Sequence, residues 1–334
     1  MESMLPTVAV LVPVHQGGDE FRQCLAGLQC LVPPPDEVIV AVDGADDGSA
    51  ARAAAMGAKV THLPARSGPA AARNAAARLA RSDILLFLDA DVVPTPTVVA
   101  QVRAVFHNGP DLAALFGSYD DAPGHPGFLS QYRNLLHHHV HQTAREDAHT
   151  FWTACGAVRR GIFTALGGFD AGIDIPAMED IEFGYRLGAV GHRIRLCKDI
   201  QVKHLKRWDV WTLLRTDIFQ RAIPWTRLLR RHGALRNDLN LSHAARLSAV
   251  LAWVFAGGLG SAALWPWAGL LAGLAAAGLL VLNAPLYRFF WRVRGAWFAA
   301  RVVPWHWLYF LYASGAFAYV AIVDGADHRH NRVK

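Results

Sequence analysis

The sequence predicts an α/β domain, a mostly parallel sheet with helices on both faces, followed by C-terminal transmembrane helices. Three observations lead there. Residues Thr7 to His204 alternate short β-branched runs with Ala-rich stretches of helical spacing, the pattern of a parallel sheet covered on both sides. Ile84-Leu85-Leu86-Phe87-Leu88 is apolar at every position, as a central strand with two buried faces must be. Residues 247–287 carry no charged side chain and no histidine, a stretch no water-soluble surface would present.

Val8 to Val14, Glu37 to Val42, Lys59 to His62, Ile84 to Leu88 and Leu112 to Ser118 are expected strands, because β-branched and apolar residues fill them between Gly, Pro and Asp punctuation. Glu20 to Leu28, Ser49 to Met56, Ala70 to Ala80 and Thr97 to Phe106 are expected helices. Asp199-Ile200-Gln201-Val202-Lys203-His204 is the last strand-like segment. In such sheets ligands bind beyond the carboxyl ends of the strands. Those ends carry Pro13-Val14-His15, then Val42 to Ser49 (VDGADDGS), then Arg66 to Asn74 (RSGPAAARN), then Asp89-Ala90-Asp91. No GxGxxG follows the first strand and no GxxxxGK[ST] occurs, so neither a dinucleotide fingerprint nor a P-loop supplies the chemistry.

Asp89 and Asp91, one residue apart at the end of a strand, are expected to point to one side and share a divalent cation. Magnesium and manganese favour such oxygen donors and complete their shells with substrate phosphates. The alternative is a solvated turn whose aspartate caps the next helix. Asp180 opens an apolar-spaced helical stretch and has its own alternative as an N-cap. His137 and His141 of HHHVH lie one turn apart, a zinc-like spacing that lacks Cys or Asp partners nearby and reads as a polar helix face or acceptor pocket. Cys24, Cys30, Cys155 and Cys197 form no CxxC pair and are expected as reduced thiols.

The 41 uncharged positions reach roughly 60 Å as helix, twice the ~30 Å hydrocarbon core. Two spans, about 246–264 and 266–284, fit with Trp265-Pro266-Trp267 as the turn, and 303–323 is a third candidate interrupted only by His306. The rival is a soluble chain ending in a buried helical hairpin. Nine Lys/Arg against three Asp/Glu between Gln201 and Asn240 account for the whole net charge of +6. With Arg288, Arg292, Arg294 and Arg301 beyond the second span, basic residues flank the hairpin and place both its ends on the cytoplasmic side. A membrane, not nucleic acid, is the expected partner of this basic segment. The basic tail Arg329 to Lys334 fits poorly with an outward third crossing, so 303–323 is open to a re-entrant or interfacial reading. The start of the chain carries no signal-peptide pattern. The domain expectation is 1–205 catalytic and cytosolic, 206–245 basic and interfacial, 246–323 transmembrane and 324–334 a tail.

PVH, VDGADDGS, RSGPAAARN, FLDADVVP, GGFD, MEDIEFGYRLGAVGHRI and VKHLKRW stand in this order and spacing, and together over about residues 5 to 225 they resemble family 2 glycosyltransferases. The resemblance implies a Rossmann-like GT-A fold, a nucleotide-sugar donor and a Mg2+ or Mn2+ cofactor. It implies that Asp43 contacts base or ribose, that Asp89 lies on the ribose side, and that Asp91 holds the metal, with Asp89 and His204 as further metal candidates. Asp180 would be the general base and Glu179 would orient the acceptor or fix its neighbour. Pro13, His15, Arg66, Gly68, Arg73 and Asn74 complete the nucleotide-sugar candidates. Val42 stands where the family commonly has a second acid, which leaves base selectivity open. Gln220 to Trp225 (QRAIPW) departs from the QxxRW signature of processive polysaccharide synthases.

The function expected is a metal-dependent, inverting glycosyltransferase acting from UDP- or GDP-hexose on a membrane lipid or polyprenyl-linked acceptor. Its expected place is the bacterial inner membrane, as a multi-pass protein with a cytoplasmic catalytic domain. Its alternatives are an inactive membrane scaffold that binds nucleotide sugar and a processive synthase.

Overall fold

The first strands and helices form where alternation of apolar residues requires them, with shifts of one or two residues at their ends. The computed structural model describes residues 5–173, 178–232 and 242–330, and the chain divides into two compact units, Met1–Trp208 and Asp209–Lys334. In the first unit the chain runs β1 (Val8–Val14), α1 (Gly18–Gln29), β2 (Glu37–Asp43), α2 (Ser49–Ala55), β3 (Lys59–Leu63), α3 (Gly68–Leu79) and β4 (Ile84–Leu88). It continues through β5 (Val92–Pro94), α4 (Val98–Asn108), β6 (Leu112–Tyr119), α5 (Phe128–Thr143) and β7 (Asp147–Ala148). β8 (Cys155–Arg159), α6 (Arg160–Ala165), α7 (Glu179–Ala189) and β9 (Arg193–His204) complete it.

The strands order as β3-β2-β1-β4-β8-β6-β9-β5, with β7 paired to β9. β3, β2, β1 and β4 are mutually parallel, as the βαβ alternation predicts. Beyond β4 the sheet is mixed. β8 pairs antiparallel with both β4 and β6, and β5 and β7 pair antiparallel with β9. β8 is reached through α5 and the short β7, which pairs with β9 before the chain enters β8.

Period-two alternation divides the strand residues between two cores. Val8, Val10, Val12, Val40, Val42, Ile84, Leu86 and Leu88 face one side, with Phe21 and Leu25 of α1 and Val102 and Phe106 of α4. Ala9, Leu11, Ile39, Ala41, Leu85 and Phe87 face the other, under the alanines of α3 and under Phe163, Phe183 and Leu187. Phe87 sits 5.5 Å from Phe163 and 5.1 Å from Phe169, ring centre to ring centre. Loss of such a fully buried phenylalanine costs about 3–5 kcal/mol. This packing holds the loop after β4 from below.

The second unit begins with α8 (Val210–Arg215), whose capping box joins Asp209 and Thr212 in both directions. A π-helical stretch, Thr216–Ala222, leads into α9 (Ile223–His232). Then come α10 (His243–Ser261), α11 (Pro266–Leu282), α12 (Ala284–Arg294) and α13 (Ala296–His330). α10 and α11 pack closely at Gly258, where a Cβ would lie 2.7 Å from the Ala268 carbonyl oxygen. Helices His243–Ser261 and Ala296–Asp324 are each long and apolar enough to cross a membrane, and the pair α11–α12, bent by 64°, makes a third if it counts as one span. Pro266 begins α11, as the expected turn requires. The third candidate, 303–323, proves to be the middle of the longer α13, and Arg288, Arg292 and Arg294 lie on the short α12. Residues 233–241 of the basic segment and 331–334 of the tail lie outside the described residues.

Candidate active site

The carboxyl ends of β1, β2 and β4, the start of α3, the start of α7 and the end of β9 carry the polar residues singled out above. Asp43 ends β2 and is only 4 % exposed. Its carboxylate accepts from the backbone N–H of Ser67 (2.7 Å) and of Gly68 (3.0 Å), so it satisfies donors at the α3 N-terminus. Gly68 takes φ +85°, a left-handed conformation that a side chain disfavours. His15 Nδ1 donates to the Asp43 carbonyl oxygen at 2.6 Å. Pro13 lies in β1 opposite Ala41, and Arg66 is exposed on the loop before α3. The two other acids of VDGADDGS serve α2: Asp46 accepts from Ala50 N and Asp47 from the Ser49 N–H and hydroxyl. The Ser49 bond and further backbone N–H bonds hold the Asp47 carboxyl below its ordinary range.

A buried ionic chain lies beside this pocket. Arg73, on α3 and 4 % exposed, donates from Nη2 to Asp89 Oδ1 at 2.6 Å and from Nη1 to Glu179 Oε1. Burial opposes its charge, yet Asp89 and Glu179 raise its pKa above the ordinary arginine value. Glu179 is 1 % exposed and also accepts from Met178 N, so it fixes its surroundings and presents no open face. Asp180 Oδ2 accepts from the Thr153 N–H and hydroxyl, both at 3.2 Å, and its Oδ1 from Ile181 N at 2.8 Å. It is not the N-cap of α7, a position held by Met178. Burial first, then the neighbouring charge of Glu179, pushes the Asp180 carboxyl up to about 7 against the pull of Arg73. A carboxylate poised there exchanges protons readily near neutral pH. Asn74 spends both ends of its amide on the backbone of Phe169, at 2.8 and 2.9 Å. It therefore ties down the GGFD loop.

Asp89 and Asp91 have different partners. The chain turns after β4, with Val92 N donating to the Asp89 carbonyl oxygen, and the turn breaks the two-residue alternation that would have aligned them. Asp89 pairs with Arg73 and Asp91 with His204, whose Nε2 lies 3.3 Å from Asp91 Oδ2. Burial would raise the Asp91 carboxyl, but His204 holds it below the ordinary range. His204 Nδ1 contacts Asn134 Oδ1 at 2.5 Å. The ring thus turns one nitrogen to Asn134 and the other to a carboxylate, the arrangement of a metal-binding histidine with its supporting oxygen. Asp91 and His204 fit a divalent cation as two protein donors. No group of three His, Cys, Asp or Glu that could hold a metal occurs among the described residues, so a cation held by Asp91 and His204 would need substrate phosphates and water to complete its shell.

The HHHVH helix face packs instead of chelating. His141 is buried against Phe116 and Trp152, and burial pushes it down to about 4. His138 Nδ1 contacts the Tyr119 carbonyl oxygen at 2.8 Å. Sequence reasoning missed Thr153, Asn134 and Tyr119. Gly184 carried a usable signal for the first of these, since an isolated glycine inside a helix marks a close approach. A Cβ there would lie 2.4 Å from Phe151 N and 2.7 Å from the Thr150 backbone, in the loop that presents Thr153.

The family model described as glycosyl transferase family 2 matches residues 9–167. Validoxylamine A glucosyltransferase of Streptomyces hygroscopicus subsp. limoneus is 25 % identical over 276 residues, covering 71 % of this chain and 59 % of the relative. The probable glycosyltransferase YdaM of Bacillus subtilis is 26 % identical over 230 residues, covering 64 % and 54 %. The chain thus spans less than two thirds of the length of these curated relatives. In fold it resembles the mannosyltransferase PcManGT from Pyrobaculum calidifontis, solved in complex with GDP-Man and Mn2+, with a TM-score of 0.58 at 19 % identity over 95 % of this chain and 88 % of that one.

Proposed function

We propose that this family 2 glycosyltransferase moves a hexose from UDP- or GDP-sugar, with inversion, to a membrane lipid or lipid-linked acceptor. The observation that carries the reading is Asp180, a buried carboxyl held near neutrality beside the Arg73 chain and oriented by Thr153. Asp180 takes the proton from the acceptor hydroxyl as the acceptor oxygen bonds to the anomeric carbon. The bond from that carbon to the diphosphate oxygen breaks, and attack on the face opposite the leaving group inverts the centre. Arg73 fixes Asp89 and Glu179, and through them the walls around Asp180. Asp43, His15, Pro13, Arg66 and Gly68 frame the nucleotide. Asp91 and His204 would hold Mg2+ or Mn2+, which when bound neutralises charge developing on the diphosphate.

The acceptor and the location rest on the second unit. Two or three membrane-length apolar helices, a basic segment before them and the exposed Trp211, Trp265 and Trp267 suit a protein working at an inner-membrane surface, with residues 1–205 in the cytoplasm. Incubation of UDP- and GDP-hexoses with Mn2+ and membrane extract, using the full chain and its Asp180→Asn variant, tests the proposal. Labelled lipid formed by the wild type alone, with the product anomer opposite to the donor, is expected. Retention of configuration, or equal transfer by the variant, defeats the mechanism. No turnover of any donor favours the nucleotide-sugar-binding scaffold, and a polymeric product favours a processive synthase.

A further inference from the structure

The α5 face that packs on the end of β9 does more than bury apolar surface. Ser130, Asn134, His138 and His141 recur at helical spacing along it. Ser130 Oγ accepts from Trp208 N at 2.8 Å, and Asn134 Oδ1 meets His204 Nδ1 at 2.5 Å. From a different strand, β6, the Tyr119 ring lies 4.3 Å from the His204 ring and only 6° from parallel.

These contacts remove both freedoms of an imidazole. Stacking on Tyr119 fixes the ring plane. An amide oxygen carries no proton, so Nδ1 must donate the one between them, and the proton on Nδ1 leaves Nε2 as the atom that faces Asp91. Asn134 meanwhile shows an imbalance: it is 1 % exposed and its Nδ2 has no hydrogen-bond partner. A buried donor without a partner is a standing cost, and an apolar side chain of the same size would avoid it. Leucine at position 134 would remove that cost but leave the buried His204 Nδ1 without its acceptor, so what the asparagine provides is the contact to the ring.

We infer that Asn134 is a positioning residue that sets the tautomer of His204 and aims Nε2, with Asp91, at a divalent cation. The inference rests on the reading that Asp91 and His204 hold that cation. Oxygen partners of metal-binding histidines are worth 10–100-fold in metal affinity, and Asn134 supplies that order of effect without touching donor or acceptor.

The test uses the full chain in detergent, labelled with 15N-histidine and assigned through a His204→Gln variant. Manganese binding is measured by electron paramagnetic resonance with manganese chloride and GDP, and again with UDP. Wild type shows the Nδ1–H tautomer at His204. Asn134→Leu stays folded by circular dichroism, loses the fixed tautomer and binds manganese about 10–100-fold more weakly. Asn134→Asp, which keeps an oxygen at the ring, retains most of the affinity. If leucine prevents folding, Asn134→Ser, too short to reach the ring, takes its place. Wild-type affinity in the leucine or serine variant, with binding abolished in Asp91→Ala, overturns the inference and leaves the metal site standing. Unaltered binding in Asp91→Ala overturns the metal site and the inference with it. An Nε2–H tautomer in the wild type also overturns the inference.

Discussion

Replacing Asp180 by asparagine should make the protein inactive and more stable at alkaline pH. Burial raises this carboxyl from 3.8 to about 7, so between those values the folded protein holds a proton that the unfolded chain has released. Stability from this group is therefore fully present near pH 4, falls as pH rises toward 7 and stays low above it. A shift of this size corresponds to roughly 4 kcal/mol at about 1.4 kcal/mol per pH unit. Asparagine carries no such penalty, but its amide nitrogen cannot accept from both Ile181 N and Thr153, which returns about 1 kcal/mol. The expected net gain is roughly 3 kcal/mol at pH 8, or about 6–12 °C in Tm for a unit of this size, turning into a loss of about 1 kcal/mol at pH 4. Thermal unfolding followed by circular dichroism at pH 4, 6 and 8 reads the stability, and labelled-donor transfer reads the activity. Loss of the base lowers kcat by about 10²–10⁴. A variant whose Tm advantage is the same at every pH, or whose transfer rate matches the wild type, refutes the reasoning.

Removing the Asp91 carboxylate with Asp91→Ala should abolish transfer and end any stabilisation by added manganese while far-UV circular dichroism stays unchanged, because Asp91 packs no core. Arg73→Met leaves the fully buried Glu179 without its counter-charge, and urea unfolding should show a loss of about 3–5 kcal/mol. In Glu179→Gln the charge that helps raise Asp180 is gone, so the acid limb of kcat/KM should move below pH 7; an unmoved limb disconnects Asp180 from the profile. Gly184→Ala pushes a methyl into the Thr150–Phe151 backbone and should lower kcat by displacing Thr153 from Asp180, with urea unfolding reading the accompanying strain.

Much of this architecture is legible because apolar alternation and a burial-driven fold obey the same period. β1, β2, β4 and β6 each carry an apolar run, β3 shows only a β-branched pair between Gly57 and Pro64, and their neighbours follow from the intervening helices. β5 and β7, of three and two residues, are too short to show a period. β8 hides because Gly156 interrupts it, a glycine required where the Trp152 carbonyl oxygen comes within 2.3 Å of a would-be Cβ. The site divides the same way. Asp43, Asp89, Asp91, Asp180 and His204 stand out as polar groups at the ends of buried elements. Their partners do not: Asn134 lies 70 residues from His204 and Thr153 lies 27 from Asp180, distances that only the completed sheet brings to contact. For Asp89 and Asp91 the turn marked by Val92 N donating to the Asp89 carbonyl oxygen interrupts the strand alternation, and each finds a partner distant in sequence, Arg73 or His204.

Charge balance and burial together explain why Asp180, and neither of its neighbours, is the carboxyl held near neutrality that the proposed base role requires. Arg73 brings one positive charge to Asp89, Glu179 and Asp180, all of which bear on its titration. One cation cannot balance three neighbouring carboxylates, of which Glu179 and Asp180 are buried. Both terminal nitrogens of Arg73 are committed, one to Asp89 and one to Glu179, and Asp180 is left with backbone and hydroxyl donors alone. Asp180 is the one carboxylate of the three without a direct ion pair to Arg73, and burial raises it against the pull of Arg73. Burial first and the Glu179 charge second thus raise Asp180, and the Glu-Asp sequence at the start of α7 places that charge and the raised group on adjacent residues.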